Sequence, residues 1–292
     1  MLQFKPDMIP NIKSIKDNLF HYIAWLLIAV LYAPVFYDLY RQRWDSVDYT
    51  HAYFILPISL WLAWQKRKSI AGIMASPAGN RHSFGMPLLI IGILMFIFGW
   101  RQGYLFITTL SLIPVLCGAM VYLYGTAMVR LLAFPIFYLL LLVPPPLGVL
   151  DSITIPMRYG VSAAVAGLLK ALHYPITRDG LLLSMGGHEI YMGAPCSGFR
   201  SLITMISLGL VYVYIIKGAR AKKTALLASI VPFALLGNFV RVTGVCLVTY
   251  YFGAKVGEKF HDVSGFVIFA VLIAGLMGLE AVLEKRARTS ST

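Results

Sequence analysis

Apolar runs about as long as a bilayer is thick, parted by short clusters of lysine and arginine, dominate the chain and leave few folds open to it. Inside lipid every backbone N–H and C=O has to be satisfied within the protein, so runs of this kind cross as helices. A crossing needs about 20 residues for a hydrocarbon core about 30 Å thick. Hydrophobic residues fill 59% of the 292 positions and the mean hydropathy is +0.77, far above a water-soluble domain. A net charge of +13 would suggest nucleic acid in a soluble protein. Here the basic residues sit in blocks between apolar runs, with no basic soluble domain and no interleaved aromatics. The charge therefore reads as a positive-inside bias, with membrane lipids as partners and nucleic acid excluded. The first run begins near Leu19 and has the length of a span, so a cleaved signal peptide is not expected.

The sequence predicts an all-α polytopic membrane protein forming a single integral domain, residues 1–292, with about eight spans. Residues 1–18 form a basic cytoplasmic lead. Five spans fill 19–146: Leu19–Tyr40, Tyr53–Trp64, Phe84–Trp100, Tyr104–Tyr124 and Val129–Val143. The second leaves through Gln65-Lys66-Arg67-Lys68, the third and fourth meet at Arg101-Gln102-Gly103, and the fifth stops at Pro144-Pro145-Pro146. Residues 147–194 change character. Asp151, Pro156, Arg158 and Lys170 interrupt an apolar stretch that reads as an interfacial or re-entrant helix. Turn signals at Asp179-Gly180 and Gly186-Gly187 then punctuate short extended segments, which read as a small outer-face β-hairpin. Residues 195–284 hold the last three spans, Cys196–Ile216, Thr224–Tyr251 and His261–Leu283, before a basic cytoplasmic tail at 285–292. With both termini inside, the inner loops hold about twice as many basic residues as the outer ones.

Chemistry concentrates in the last third. Counting helix rise from the basic block at the far end of each span, Cys196, Arg241 and His261 lie about 31, 27 and 36 Å away, all near the outer boundary. A guanidinium within a span costs about 2.5–3.5 kcal/mol and persists when paired or functional. Arg241 can therefore snorkel, pair with Asp262, or work on a substrate; Asn238 shares its face one turn earlier. A lone cysteine is ordinarily packing, the reading given to Cys117 and Cys246, and His261 alone fits an interfacial residue equally well. Together the three make a mechanism. A thiol beside an arginine or histidinium and at a helix start becomes a nucleophilic thiolate. His261 would move the proton, Arg241 would hold the oxyanion, Asp262 or Asn238 would orient partners, and the product would be a thioester. Water would resolve it in a protease and an amine in a transpeptidase. His188-Glu189 lacks metal-ligand spacing, so no metal is expected, and no glycine-rich stretch fits a nucleotide, so no cofactor is expected. His51 lies on the same outer face, as a substrate contact or an interfacial polar residue.

Three ordered segments carry a resemblance: Ala194-Pro195-Cys196-Ser197-Gly198-Phe199-Arg200-Ser201, Asn238-Phe239-Val240-Arg241-Val242, and His261-Asp262-Val263-Ser264-Gly265-Phe266. Tyr49-Thr50-His51-Ala52 adds to them, although Ala52 stands where a glycine is usual. On these residues the chain resembles the exosortase/archaeosortase family of membrane transpeptidases. The resemblance implies Cys196, Arg241 and His261 as the catalytic set, with Ser197, Gly198, Asn238, Asp262 and His51 supporting. It implies substrates that are exported proteins with a C-terminal sorting signal: a short Pro-containing motif, a transmembrane helix and a basic tail. It also implies cleavage at the outer face of a bacterial inner membrane, in protein sorting linked to exopolysaccharide. The acceptor nucleophile stays open. Two other readings fit the residues: a non-enzymatic component of polysaccharide export that binds an anionic lipid carrier through Arg241 and His261, and a membrane acyltransferase using Cys196.

Overall fold

The computed structural model describes residues 12–44, 52–75, 84–146, 148–193, 199–216 and 218–289, without the side chains of 12–18, 43, 150, 200, 201, 262, 266–269 and 286–289. Within these residues it is mostly helical with one small sheet. The helices are α1 (Ile12–Leu39), α2 (Ala52–Gln65), α3 (Arg67–Ala75), α4 (Gly85–Gln102), α5 (Leu105–Leu110), α6 (Leu112–Tyr124), α7 (Thr126–Tyr138), α8 (Val149–Ala171), α9 (Phe199–Ile215), α10 (Arg220–Phe252), α11 (Ala254–Val263) and α12 (Gly265–Thr289). The strands are β1 (Ile176–Asp179), β2 (Leu182–Met185) and β3 (His188–Tyr191). Contacts divide the chain into two compact units, Met1–Asp45 with Tyr53–Pro144, and Ser46–Ala52 with Pro145–Thr292.

Among the described residues five helical stretches are long and apolar enough to cross a membrane: Leu19–Gln42, Gly85–Gln102, Leu105–Tyr124, Asp151–Ala171 and Arg220–Phe252. Large side chains such as Leu26 and Leu27 are more than 60% exposed, which suits lipid and not water. This is a multi-pass membrane protein. Of the eight expected crossings, Leu19–Tyr40, Phe84–Trp100, Tyr104–Tyr124 and Thr224–Tyr251 fall largely in these helices, while Ala52–Gln65, Thr126–Leu142 and Leu202–Ile215 are apolar stretches of 10–17 residues among the described residues. Asp151–Ala171, expected at the interface, is one continuous helix of spanning length through Pro156. Arg158 Nη2 donates to Thr154 Oγ1 one turn back, at 3.2 Å, while its buried Nε has no hydrogen-bond partner among the described residues.

In the first unit, α4 approaches α5 and α6 backbone to backbone through small residues. A Cβ added at Gly92 would meet Val115 N at 2.7 Å, one at Gly99 would meet Thr108 N at 2.6 Å, and one at Gly118 would strike Leu89 N. Such contact drives helix association where lipid removes the hydrophobic force between helices. Gly103 turns the chain after α4 at φ 70°, with Tyr104 N–H donating to Gly99 O at 2.8 Å, as the Arg-Gln-Gly turn predicts. Pro135 in α7 has no N–H to offer the carbonyl of Leu131. Lys66 Nζ donates to that carbonyl at 2.8 Å, and Ser59 Oγ donates to Pro135 O at 2.9 Å.

In the second unit, α8 ends at Ala171, and His173 two residues on has a φ of 63° that lets Tyr174 N–H reach back to Leu169 O at 3.0 Å. The sheet that follows has three antiparallel strands in the order β1-β2-β3, one more than the expected hairpin. Ile176 pairs with Met185, Leu183 with Ile190, and their common face packs with Val165 and Leu169 of α8 and with Val242 and Cys246 of α10. Leu183 is fully buried and Met185 nearly so, so the inner face is core and not merely a surface platform. At the other end of α10, Lys222 bridges Glu280 and Glu284 of α12, each at 2.7 Å, and Tyr212 of α9 donates to Glu280.

Candidate functional site

The site is built where α11 folds back on α10. Gly253, at φ 84°, ends α10 and starts α11. Three contacts step along the resulting helical hairpin: Gly257 packs on the side chain of Thr249, Phe260 lies against Gly244, and His261 reaches Arg241. Each step moves forward along α11 and backward along α10, as antiparallel helices require. Glycines at 257 and 244 allow it, since a Cβ at Gly257 would strike Thr249 Oγ1 and one at Gly244 would sit 3.2 Å from Phe260.

The C-terminus of α11 leaves carbonyls without helical donors. Ser264 N–H takes Phe260 O at 2.7 Å. The carbonyl of His261 accepts from Ser264 Oγ at 2.8 Å and from Arg241 Nη2 at 3.0 Å. Arg241 Nε donates to Ser264 Oγ at 2.8 Å, and Nη2 also lies 3.3 Å from His261 Nε2. Arg241 is thus a cation at a helix C-terminus, where the helix dipole favours it, with hydrogen-bond acceptors that offset its burial at 8% exposure. A guanidinium only donates, so a hydrogen bond between the two requires Nε2 of a neutral ring as the acceptor.

Of the predicted residues, the structure brings Arg241 and His261 together and buries Asn238 one turn before Arg241 on α10. His51, Cys196, Ser197 and Gly198 lie outside the described residues, as does the side chain of Asp262. The depth reckoned for His261 assumed one unbroken span to Leu283; the helix breaks at Ser264, and His261 belongs to α11. Ser264 is the residue that sequence reasoning passed over, although it is 1% exposed and couples Arg241 to the end of α11. Its signal was its place one turn after His261, directly before a glycine.

His261 also borders a cleft of about 380 Å³. Glu189, Ile190, Tyr191 and Gly193 form one wall, and Thr249, Gly257 and Glu258 the other. A buried cation clasping a histidine beside a cleft is an arrangement that can move protons and stabilise charge. The model of the transmembrane exosortase family (Exosortase_EpsH) matches residues 43–278. The chain belongs to that family. No curated protein and no solved structure matches it. The exosortase match takes in α10, α11 and the sheet, so the Arg241–His261 pair and its cleft lie within the matched residues.

Proposed function

We propose that the chain is a membrane-embedded cysteine peptidase or transpeptidase that removes the C-terminal sorting signal of exported proteins, with Cys196 as nucleophile. The observation that carries this reading is the buried Arg241 hydrogen-bonded to His261 at the edge of a cleft whose other wall includes Gly193, three residues before Cys196 in the chain. In the proposed reaction His261 Nε2 takes the proton of the Cys196 thiol, the resulting thiolate attacks the scissile carbonyl, and Arg241 stabilises the oxyanion. The C–N bond then breaks, His261 protonates the departing amine, and a thioester remains on Cys196. Water or an amine acceptor resolves it. As Arg241 turns from His261 toward the scissile carbonyl oxygen it releases Nε2, so the same movement places the oxyanion donor and frees the base before attack. The site faces the outer side of a bacterial inner membrane in this reading, and the released protein passes on to the cell surface or the exopolysaccharide. Glu189 and Glu258 in the cleft disfavour an anionic lipid headgroup, which weighs against the lipid-carrier alternative.

The test is coexpression with a reporter ending in a Pro-containing motif, a transmembrane helix and a basic tail. Wild type is expected to shorten the reporter, while Cys196→Ala, Arg241→Ala and His261→Ala leave it intact and Cys196→Ser is nearly inactive. Equal shortening by all of them removes the catalytic assignment.

A further inference from the structure

β3 is the edge of the sheet, and its register tells which backbone groups are used. Gly186 and Gly187 make a two-residue turn, so the flanking pair Met185–His188 exchanges hydrogen bonds, and the next such pair is Leu183–Ile190. Met192 N–H donates to Leu181 O at 2.8 Å and continues the alternation. The intervening residues of β3, Glu189 and Tyr191, therefore aim their N–H and C=O groups away from β2. The carbonyl of Tyr191 is taken up locally by Gly193 N–H at 2.9 Å. Three groups remain on the open side: the N–H and C=O of Glu189 and the N–H of Tyr191. Among the described residues no strand pairs with that side. Glu189, Ile190 and Tyr191 line the same cleft as His261.

We infer that this edge receives an extended segment of the peptide substrate as a fourth, antiparallel strand, which lays the backbone to be cut alongside His261. The inference rests on the peptidase reading above and adds how the substrate is held. An unpaired edge offers main-chain hydrogen bonds to any extended chain, whatever its side chains. The incoming residue opposite Glu189 supplies one N–H and one C=O. The residue opposite Tyr191 supplies a C=O only, because the Tyr191 carbonyl is already occupied. The added strand therefore uses a single N–H of its own, and a proline, which has none, fits at every paired position except the one opposite Glu189.

The full-length protein in lipid nanodiscs tests this with synthetic peptides covering the Pro-containing motif of the reporter, N-methylated one residue at a time. Residue-resolved amide exchange should slow by roughly tenfold or more at Glu189 and Tyr191 when peptide is added, while Ile190, already bonded to β2, is unchanged. Methylation at one position should weaken competition with the reporter about fivefold, and methylation elsewhere by less than about twofold. Glu189→Pro removes an edge N–H at a position where an edge strand accepts proline. It should raise KM about fivefold with kcat within about twofold. If the wild type cleaves the reporter while the Glu189 and Tyr191 amides are unaffected, or if methylation acts evenly along the peptide, strand addition is wrong and the peptidase reading stands. If the wild type neither cleaves the reporter nor shows protection, both fall.

Discussion

Replacing Ser264 with alanine tests whether the end of α11 is what holds Arg241 in place. The hydroxyl is buried, accepts from Arg241 Nε at 2.8 Å and donates to His261 O at 2.8 Å. A hydrogen bond to a charged group contributes about 1.5–3 kcal/mol and a neutral one about 0.5–1.5 kcal/mol. The carbonyl of His261 keeps Arg241 Nη2 at 3.0 Å, so its loss falls at the low end. The buried guanidinium loses an acceptor outright, and the total comes to about 2–3 kcal/mol. Carried wholly into the transition state, that slows the reaction about 30- to 140-fold at about 1.4 kcal/mol per tenfold. Carried into the folded state, it lowers the unfolding temperature of the detergent-solubilised protein instead. Both are measured on one preparation, as the initial rate of reporter shortening in membranes and as thermal unfolding. Processing within twofold of wild type together with an unchanged unfolding temperature would refute the claim that Ser264 couples the two helices.

In the first unit, Gly92→Leu places a side chain against the Val115 backbone and should destabilise the α4–α6 pair by about 1–3 kcal/mol. Gly72→Ala, at a helical glycine where the added Cβ meets nothing within 4 Å beyond its own helix, should instead raise stability slightly; thermal unfolding of the two variants side by side gives the comparison. Lys66→Met strips the donor from the Leu131 carbonyl that Pro135 leaves without a helical partner, and should cost about 1–3 kcal/mol in the same assay.

Much of the site was legible because membranes penalise charge. Arg241 is conspicuous in an apolar run for the same reason it must be held by acceptors in the fold. The Arg101-Gln102-Gly103 turn and the stop at Pro144-Pro145-Pro146 were legible from backbone chemistry alone. β1 was not, since Ile176-Thr177-Arg178-Asp179 follows a proline with only one apolar residue, and it becomes a strand through pairing with β2. The break at Ser264 was also hidden. Hydropathy runs on from His261 into α12, and only the acceptance of Arg241 by the end of α11 distinguishes two helices from one. Asp151, Pro156, Arg158 and Lys170 suggested interruption, but Arg158 bonds within its own helix and α8 runs on.

At about 1.5 Å per residue the 33 residues of α10 extend about 50 Å, far beyond a hydrocarbon core of about 30 Å. The bridges from Lys222 to Glu280 and Glu284 gather charge at its first turn, which belongs at a polar boundary. Arg241 then stands about 27 Å beyond Lys223, within a few ångströms of the opposite boundary. Longer acyl chains would submerge the guanidinium and tighten its hold on His261, and shorter ones would wet it and loosen that hold. Hydrophobic mismatch thus acts on the proposed catalytic pair directly, and the lipid composition of the host membrane becomes a rheostat on its chemistry.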